Sequence, residues 1–276
     1  MNHYVKIGRQ RAVNALYGLR PTALRGRLGG PRVLVNSIPK AGTHLLGNAL
    51  RHFPRLRDTT FRTLRGWERV PAETWRGLQA IQPGAFKDAH LPAHADLVAK
   101  LPQMGIRHVL MIRDPRDVVV SLARYITYSH SENTHRMHAA FASLPDDDAR
   151  LLAAIQGIPG LNHGVGNVLR SFRGWLGRDD VLVVRFEDLV GSQGAGDAER
   201  QLRTIEAIAR YIGVPLSREE TIGIAGRTFS TSSPTFTGGR SGGWRKAFKP
   251  QHIEAFKSAN GGELIVDYGY EASTDW

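Results

Sequence analysis

The 276-residue chain has no cysteine. That excludes disulfides, a thiol nucleophile and any thiolate metal site, and it fits a reducing compartment. Acidic residues are also missing from the start of the chain, the first being Asp58. Eleven Lys or Arg precede it, and the rest of the chain carries 26 basic against 25 acidic residues. The net charge of +12 is therefore a property of the N-terminal fifth. A nearly balanced remainder without a stacking motif or recognition module excludes a nucleic-acid reader. No apolar run is long enough to span a bilayer or to serve as a secretory core segment. What remains is a cytoplasmic protein, with attachment to a membrane surface still open. A chain of this length buries one large core, so one domain with embellishments is expected.

Residues 1–30 form the basic extension. Val13, Leu16, Tyr17 and Arg20 recur at helical spacing before Pro21 and the Gly29-Gly30 break. The simplest reading is a helix packed on the outside of the fold. A basic amphipathic helix also suits an anionic membrane surface or an acidic acceptor, so peripheral membrane contact is kept as an alternative. The segment is Arg-rich like an organelle transit peptide, but it lacks serine.

Residues 31–276 are expected to form a single P-loop-like α/β domain. Val33, Leu34 and Val35 form a short apolar run typical of a buried strand. Residues 37–43 form a loop, and Leu45, Leu46, Ala49, Leu50 and Phe53 follow at helical spacing. Exposed N–H groups and the positive dipole end make the start of that helix an anion site, to which Lys40 adds a full charge. A Walker A loop is excluded, because it places Gly directly before Lys and Ser/Thr directly after it, whereas here Lys40 precedes Gly42. Further strands are expected at 85–90, 107–113 and 180–186. Helices are expected at 93–101, from 116 to about 126, and at 162–177, 199–212, 217–226 and 251–258. The alternation indicates a mainly parallel sheet with helices on both faces. Ligands in such folds lie beyond the carboxyl ends of the strands, where Lys40, His90 and Arg113 are all expected. Residues 129–148 are polar and contain Asp146-Asp147-Asp148, which reads as a lid loop with short helical pieces. With the irregular residues 54–82, the stretch 129–160 is expected to wall an acceptor site.

Six segments carry a family resemblance. The order Pro39-Lys40-Ala41-Gly42-Thr43 after a strand resembles the 5′-phosphosulfate loop of sulfotransferases that use PAPS, 3′-phosphoadenosine-5′-phosphosulfate. Val109 to Tyr125 resembles the 3′-phosphate motif, which implies that Arg113 and Ser121 bind that phosphate. Phe86 to Pro92 is similar to a Lys-x-His-Leu-Pro segment, with one extra residue, and implies that His90 is the general base. Thr237 to Phe248 resembles the Gly-rich loop ending in Gly-x-Trp-(Lys/Arg)-x-x-Phe. Its usual Arg-Lys-Gly opening is missing, so Gly239 and Arg240 are assigned to the 3′-phosphate, with Arg245 in reserve and Trp244 beside them. Phe186 to Leu189 resembles Tyr-Glu-Asp-Leu, and Arg227-Thr228-Phe229 resembles the adenine-holding Thr-Ser-Phe. Leu45 stands where many members carry an adenine-stacking Trp.

The resemblance implies in-line transfer of a sulfuryl group from PAPS to an acceptor hydroxyl, leaving PAP, its desulfated product. Ala41 to His44, with the Thr43 hydroxyl, would hold the 5′-phosphate, and Lys40 would meet the charge growing on the leaving oxygen. No metal is expected. A zinc pair of His90 and His94 lacks a third ligand and has Pro92 between its members. The acceptor would be a small alcohol or phenol, a lipid or a glycan. A nucleotide kinase using Asp114 for Mg²⁺ is the runner-up, and a non-catalytic binder acting through residues 1–30 is the third reading.

Overall fold

The computed structural model describes residues 29–128, 135–230 and 241–276, with Ala12, Leu16 and Leu19 as isolated positions. The expected N-terminal helix, Gly239 and Arg240 therefore fall outside the described residues. Six strands form one sheet: β1 (Arg32–Ser37), β2 (Arg57–Asp58), β3 (Leu64–Arg65), β4 (Ala85–His90), β5 (Ile106–Ile112) and β6 (Val181–Arg185). The order is β2-β4-β1-β5-β6, with β3 also paired to β4, and every pair is parallel. The chain leaves β1 for β4 on one side and then crosses to β5 on the other. The crevice beyond the end of β1 is thus a topological switch point.

Helix α1 (Thr43–Arg51) follows β1, and α2 (Ala72–Gln79) and α3 (Ala95–Lys100) flank β4 in sequence. Helix α4 (Pro115–Tyr128) follows β5, and α5 (His138–Ala142), α6 (Asp147–Gln156) and α7 (Gly164–Arg173) lead to β6. Then come α8 (Phe186–Leu189), α9 (Ala198–Ile212), α10 (Arg218–Thr228), α11 (Trp244–Ala247), α12 (Pro250–Phe256) and α13 (Gly262–Asp267).

The strand period of two divides the interior into two cores. Val33, Val35, Val109 and Met111 face Leu46 and Leu50 of α1 and Ile205 and Ile208 of α9. Leu34, Leu110 and Ile112 face Val119 and Ile126 of α4, Ile155 of α6 and Phe172 of α7. Both faces are apolar because both are covered, as parallel sheets require. Leu34 is fully buried, and truncating such a side chain to Ala costs about 2–5 kcal/mol.

The expected major strands and helices appear within a few residues of their ends. Two stretches hold elements that were not anticipated. Residues 54–82 contain β2, β3 and α2. The acidic run of 146–148 does not belong to a loop: Asp146 accepts from the Ala149 N–H at 2.8 Å and caps α6, whose first turn holds Asp147 and Asp148. That is where carboxylates favour a helix start. Among the described residues, no helix is long and apolar enough to cross a membrane.

Candidate active site

The site sits where β1, β4 and β5 end. Ser37 closes β1 and pairs in register with Met111, two residues before Arg113, while Asn36 pairs with Ala89, one residue before His90. Buried Asn36 fixes the exit of β4: its amide donates to the Leu91 carbonyl at 2.9 Å, and its oxygen accepts from the Leu91 N–H at 2.8 Å. The Trp175 indole donates to the same carbonyl at 2.9 Å. This clamp holds the backbone on which His90 stands.

The His90 ring is oriented by β1. Its Nδ1 lies 2.8 Å from the Ser37 carbonyl, which can only accept, so Nδ1 carries the proton and Nε2 keeps the lone pair. The Ser37 hydroxyl contacts Thr43 Oγ1 at 2.5 Å and His90 Nδ1 at 3.2 Å, linking the imidazole to the start of α1. Burial, with the charges of Arg65 and Lys40, lowers His90 to about 4, against the raising effect of the Ser37 bond. His44, on the first turn of α1, is also held down to about 4 by burial and by Arg51, Lys40 and His90. Both imidazoles are thus neutral at physiological pH.

The loop between β1 and α1 is tight. The Ala41 N–H donates to the Ile38 carbonyl at 3.0 Å, and Ile38 donates to Met111 at 3.3 Å. Lys40 has φ of 69°, a left-handed conformation that costs an ordinary residue ~1–2 kcal/mol. Gly42 has φ of 109°, and a Cβ there would lie 2.7 Å from the Phe186 ring. Only glycine lets this loop pass under Phe186. Helix α1 begins at Thr43 with no side-chain cap. The start of α1 thus offers uncapped N–H donors to an anion.

Two cations converge on the loop. The Lys40 ammonium lies 3.8 Å from the centre of the Tyr125 ring, and burial, then the charge of Arg113, lowers it to about 7. Arg113 stacks on Phe186 at 4.2 Å, reaches towards the Lys40 carbonyl at 3.5 Å and faces Asp117 at 3.8 Å. Ser121 is buried one turn beyond Asp117 on α4. Leu45 is buried in the apolar core on the α1 face.

Asp117, a position no local sequence pattern singles out, joins two parts of the site. Its two oxygens accept the Gly242 and Trp244 N–H groups, each at 2.8 Å. The described end of the Gly-rich loop is thereby tied to the strand end that bears Arg113. Trp244 is buried, with its ring 3.8 Å from the Arg116 guanidinium. Thr228 is fully buried, its hydroxyl donates to Ile224 within α10, and its carbonyl accepts from Asn48. Phe229 follows directly at the end of α10.

Two alternatives lose ground. The Asp114 carboxylate, which a kinase would need for Mg²⁺, takes the Arg116 guanidinium at 2.8 Å. His94 Nε2 donates to the Gly66 carbonyl at 2.8 Å, away from a pairing with His90.

A family model described as a sulfotransferase domain matches residues 30–266. The fold is similar to that of mouse sulfotransferase SULT7A1, solved with PAP: 16% identity over 92% of this chain and 96% of that one, with a TM-score of 0.61. It is also similar to retinol dehydratase, solved with androsterone and the inactive cofactor PAP: 14% identity over 88% of this chain and 85% of that one, with a TM-score of 0.56. At these identities the likeness is one of fold. No curated protein sequence matches the chain.

Proposed function

The chain belongs to the sulfotransferase-domain family, and from that premise we propose that it transfers a sulfuryl group from PAPS to an acceptor hydroxyl with His90 as the general base. The observation that carries the proposal is the Nδ1 contact of His90 with the Ser37 carbonyl at 2.8 Å. It leaves an unprotonated Nε2 at the end of β4, beside the ends of β1 and β5 that Lys40 and Arg113 follow.

The donor supplies an activated sulfuryl group: one S–O bond forms to the acceptor oxygen while the S–O bond to the phosphate breaks. The residues present suit a nucleotide with an anionic group at each end. The loop of Lys40 to Thr43, with its cradle at Gly42, would hold the 5′-phosphate end. Arg113 and Ser121 would hold the 3′-phosphate, with Gly239 and Arg240 assigned to the same group from sequence. Phe186, Leu45, Thr228, Phe229 and Trp244 would line the nucleoside. The Thr228 hydroxyl is engaged by Ile224, so its contact would come through backbone or methyl.

The protein's own groups have simple tasks. His90 Nε2 accepts the acceptor's hydroxyl proton, and a positioned base is worth about 10² to 10⁴ in rate. Lys40 counters the charge gathering on the leaving oxygen. In a loose transition state most of the remaining gain is positioning. The family match begins at residue 30, and we assign residues 1–30 to a separate basic extension. The test is His90→Ala: PAP still binds, and sulfation of every acceptor stops. Wild-type turnover in that variant would overturn the base assignment.

A further inference from the structure

Strand β3 is only two residues long, yet it places an arginine beside the transfer centre. Arg65 pairs in register with His90. Paired residues of parallel strands share a sheet face, so both side chains leave the face that carries α1. The backbone there is held firmly. The Arg65 carbonyl accepts the Thr74 hydroxyl at 2.6 Å, and the next carbonyl, Gly66, accepts His94 at 2.8 Å.

The side chain is not held. Arg65 is exposed, and its guanidinium has no carboxylate or carbonyl partner among the described residues. Its charge still reaches both neighbours: it adds to the burial that lowers His90, and it works against the burial that raises Tyr125. His90 closes β4, and Tyr125 lies on α4 with its ring against the Lys40 ammonium. Arg65 thus faces the space an acceptor must enter to reach His90. From Arg51 to Arg76 the sequence holds seven arginines and three acidic residues, and Arg51 already takes Asp58. The two charges that act on His90, those of Arg65 and Lys40, are both positive. Phe61 and Trp67, within four positions of Arg65 in the chain, are both exposed.

Resting on the sulfotransferase reading, we infer that the acceptor is an anionic alcohol or phenol, whose carboxylate or sulfate is gripped by Arg65 while its hydroxyl meets His90. A guanidinium offers a planar fork to such a group, which a neutral acceptor would leave without a partner.

The test compares acceptors matched in shape but not in charge: para-hydroxyphenylacetate against its methyl ester, and methyl glucuronide against methyl glucoside. Each is incubated with PAPS and the protein, and kcat/KM is measured alongside the Kd for PAP. We expect the acid of at least one pair to be preferred by about tenfold or more, the scale of one charge-assisted contact. Arg65→Gln brings that ratio towards one, Arg65→Glu inverts it, and Arg65→Lys keeps part of it, while PAP affinity stays as in the wild type. Using the ratio cancels any change the substitutions make to His90 itself. Equal use of acid and neutral partner, a ratio unmoved by Arg65→Glu, or sulfation of neither pair by a protein that binds PAP would overturn the inference. Failure to bind PAP at all would overturn the sulfotransferase reading instead, and this inference with it.

Discussion

Replacing Asp117 with Ala tests how the two halves of the proposed nucleotide site are joined. In the native protein its carboxylate accepts from Gly242 and Trp244 at 2.8 Å each and faces Arg113 at 3.8 Å. The substitution leaves both N–H groups without an acceptor. The Trp244 bond is buried, so its orphaned donor costs about 1–3 kcal/mol. Gly242 is half-exposed, and water can satisfy its donor, so its share is smaller. A total of about 2–3 kcal/mol corresponds to a fall in melting temperature on the order of 5 °C for a chain of this size. Arg113 also loses the carboxylate that fixes its direction, and the loop bearing Trp244 is released. PAP affinity should fall about tenfold or more, the equivalent of one lost charge-assisted contact. The assay is a thermal melt with and without PAP, together with calorimetric titration. Asp117→Asn, which keeps one acceptor oxygen, should lie between the two. A melting temperature within about 1 °C of wild type, with unchanged PAP affinity, would refute the reasoning.

Four further outcomes are expected. Gly42→Ala forces a Cβ to within 2.7 Å of Phe186 at φ of 109°, and strain of about 1–3 kcal/mol should weaken PAP binding about five- to 150-fold, read by titration. The pH profile of kcat/KM for PAPS should fall above pH 7, because Lys40 is lowered to about 7, mainly by burial, and must be protonated to act. The same profile should stay level down to about pH 5, because His90 is lowered to about 4, mainly by burial, and remains a neutral base above that value. Asp88 is buried, and burial, then the neighbouring Asp58, raises its carboxyl well above the ordinary 3.8. The folded state therefore binds that proton more tightly than the unfolded chain. The stability linked to it is complete below the unfolded value and is lost as pH rises. Asp88→Asn should melt higher than wild type at neutral pH, and the gain should shrink towards pH 4.

Much of this architecture was legible in the sequence. The runs at Val33–Val35 and Val109–Ile112 are continuous apolar stretches because the sheet is covered on both faces, and such runs stand out against any turn. Lys40, His90 and Arg113 were legible as a group because each closes a strand of one parallel sheet. Strands β2 and β3 were not, since two residues carry no period. Arg65 was hidden for the same reason: its importance comes from pairing with His90, 25 positions away in the chain. The helix at Asp147–Gln156 was missed although its start is encoded. Three aspartates look like a solvated cluster unless the first is read as a cap and the others as first-turn charges. Asn36 and Asp117 owe their roles to bonds across 55 and 125 or more positions, and local pattern cannot report such bonds.

The central claim is that Lys40, His90 and Arg113 form one sulfuryl-transfer centre. The most direct measurement is the mass of acceptor hydroxyl compounds after incubation with PAPS, using wild type and His90→Ala preparations that both bind PAP. The account predicts sulfated product and PAP release from the wild type, and neither from the variant. Equal product from both, or none from a wild type that binds PAP across alcohols, phenols and glycans, would contradict it.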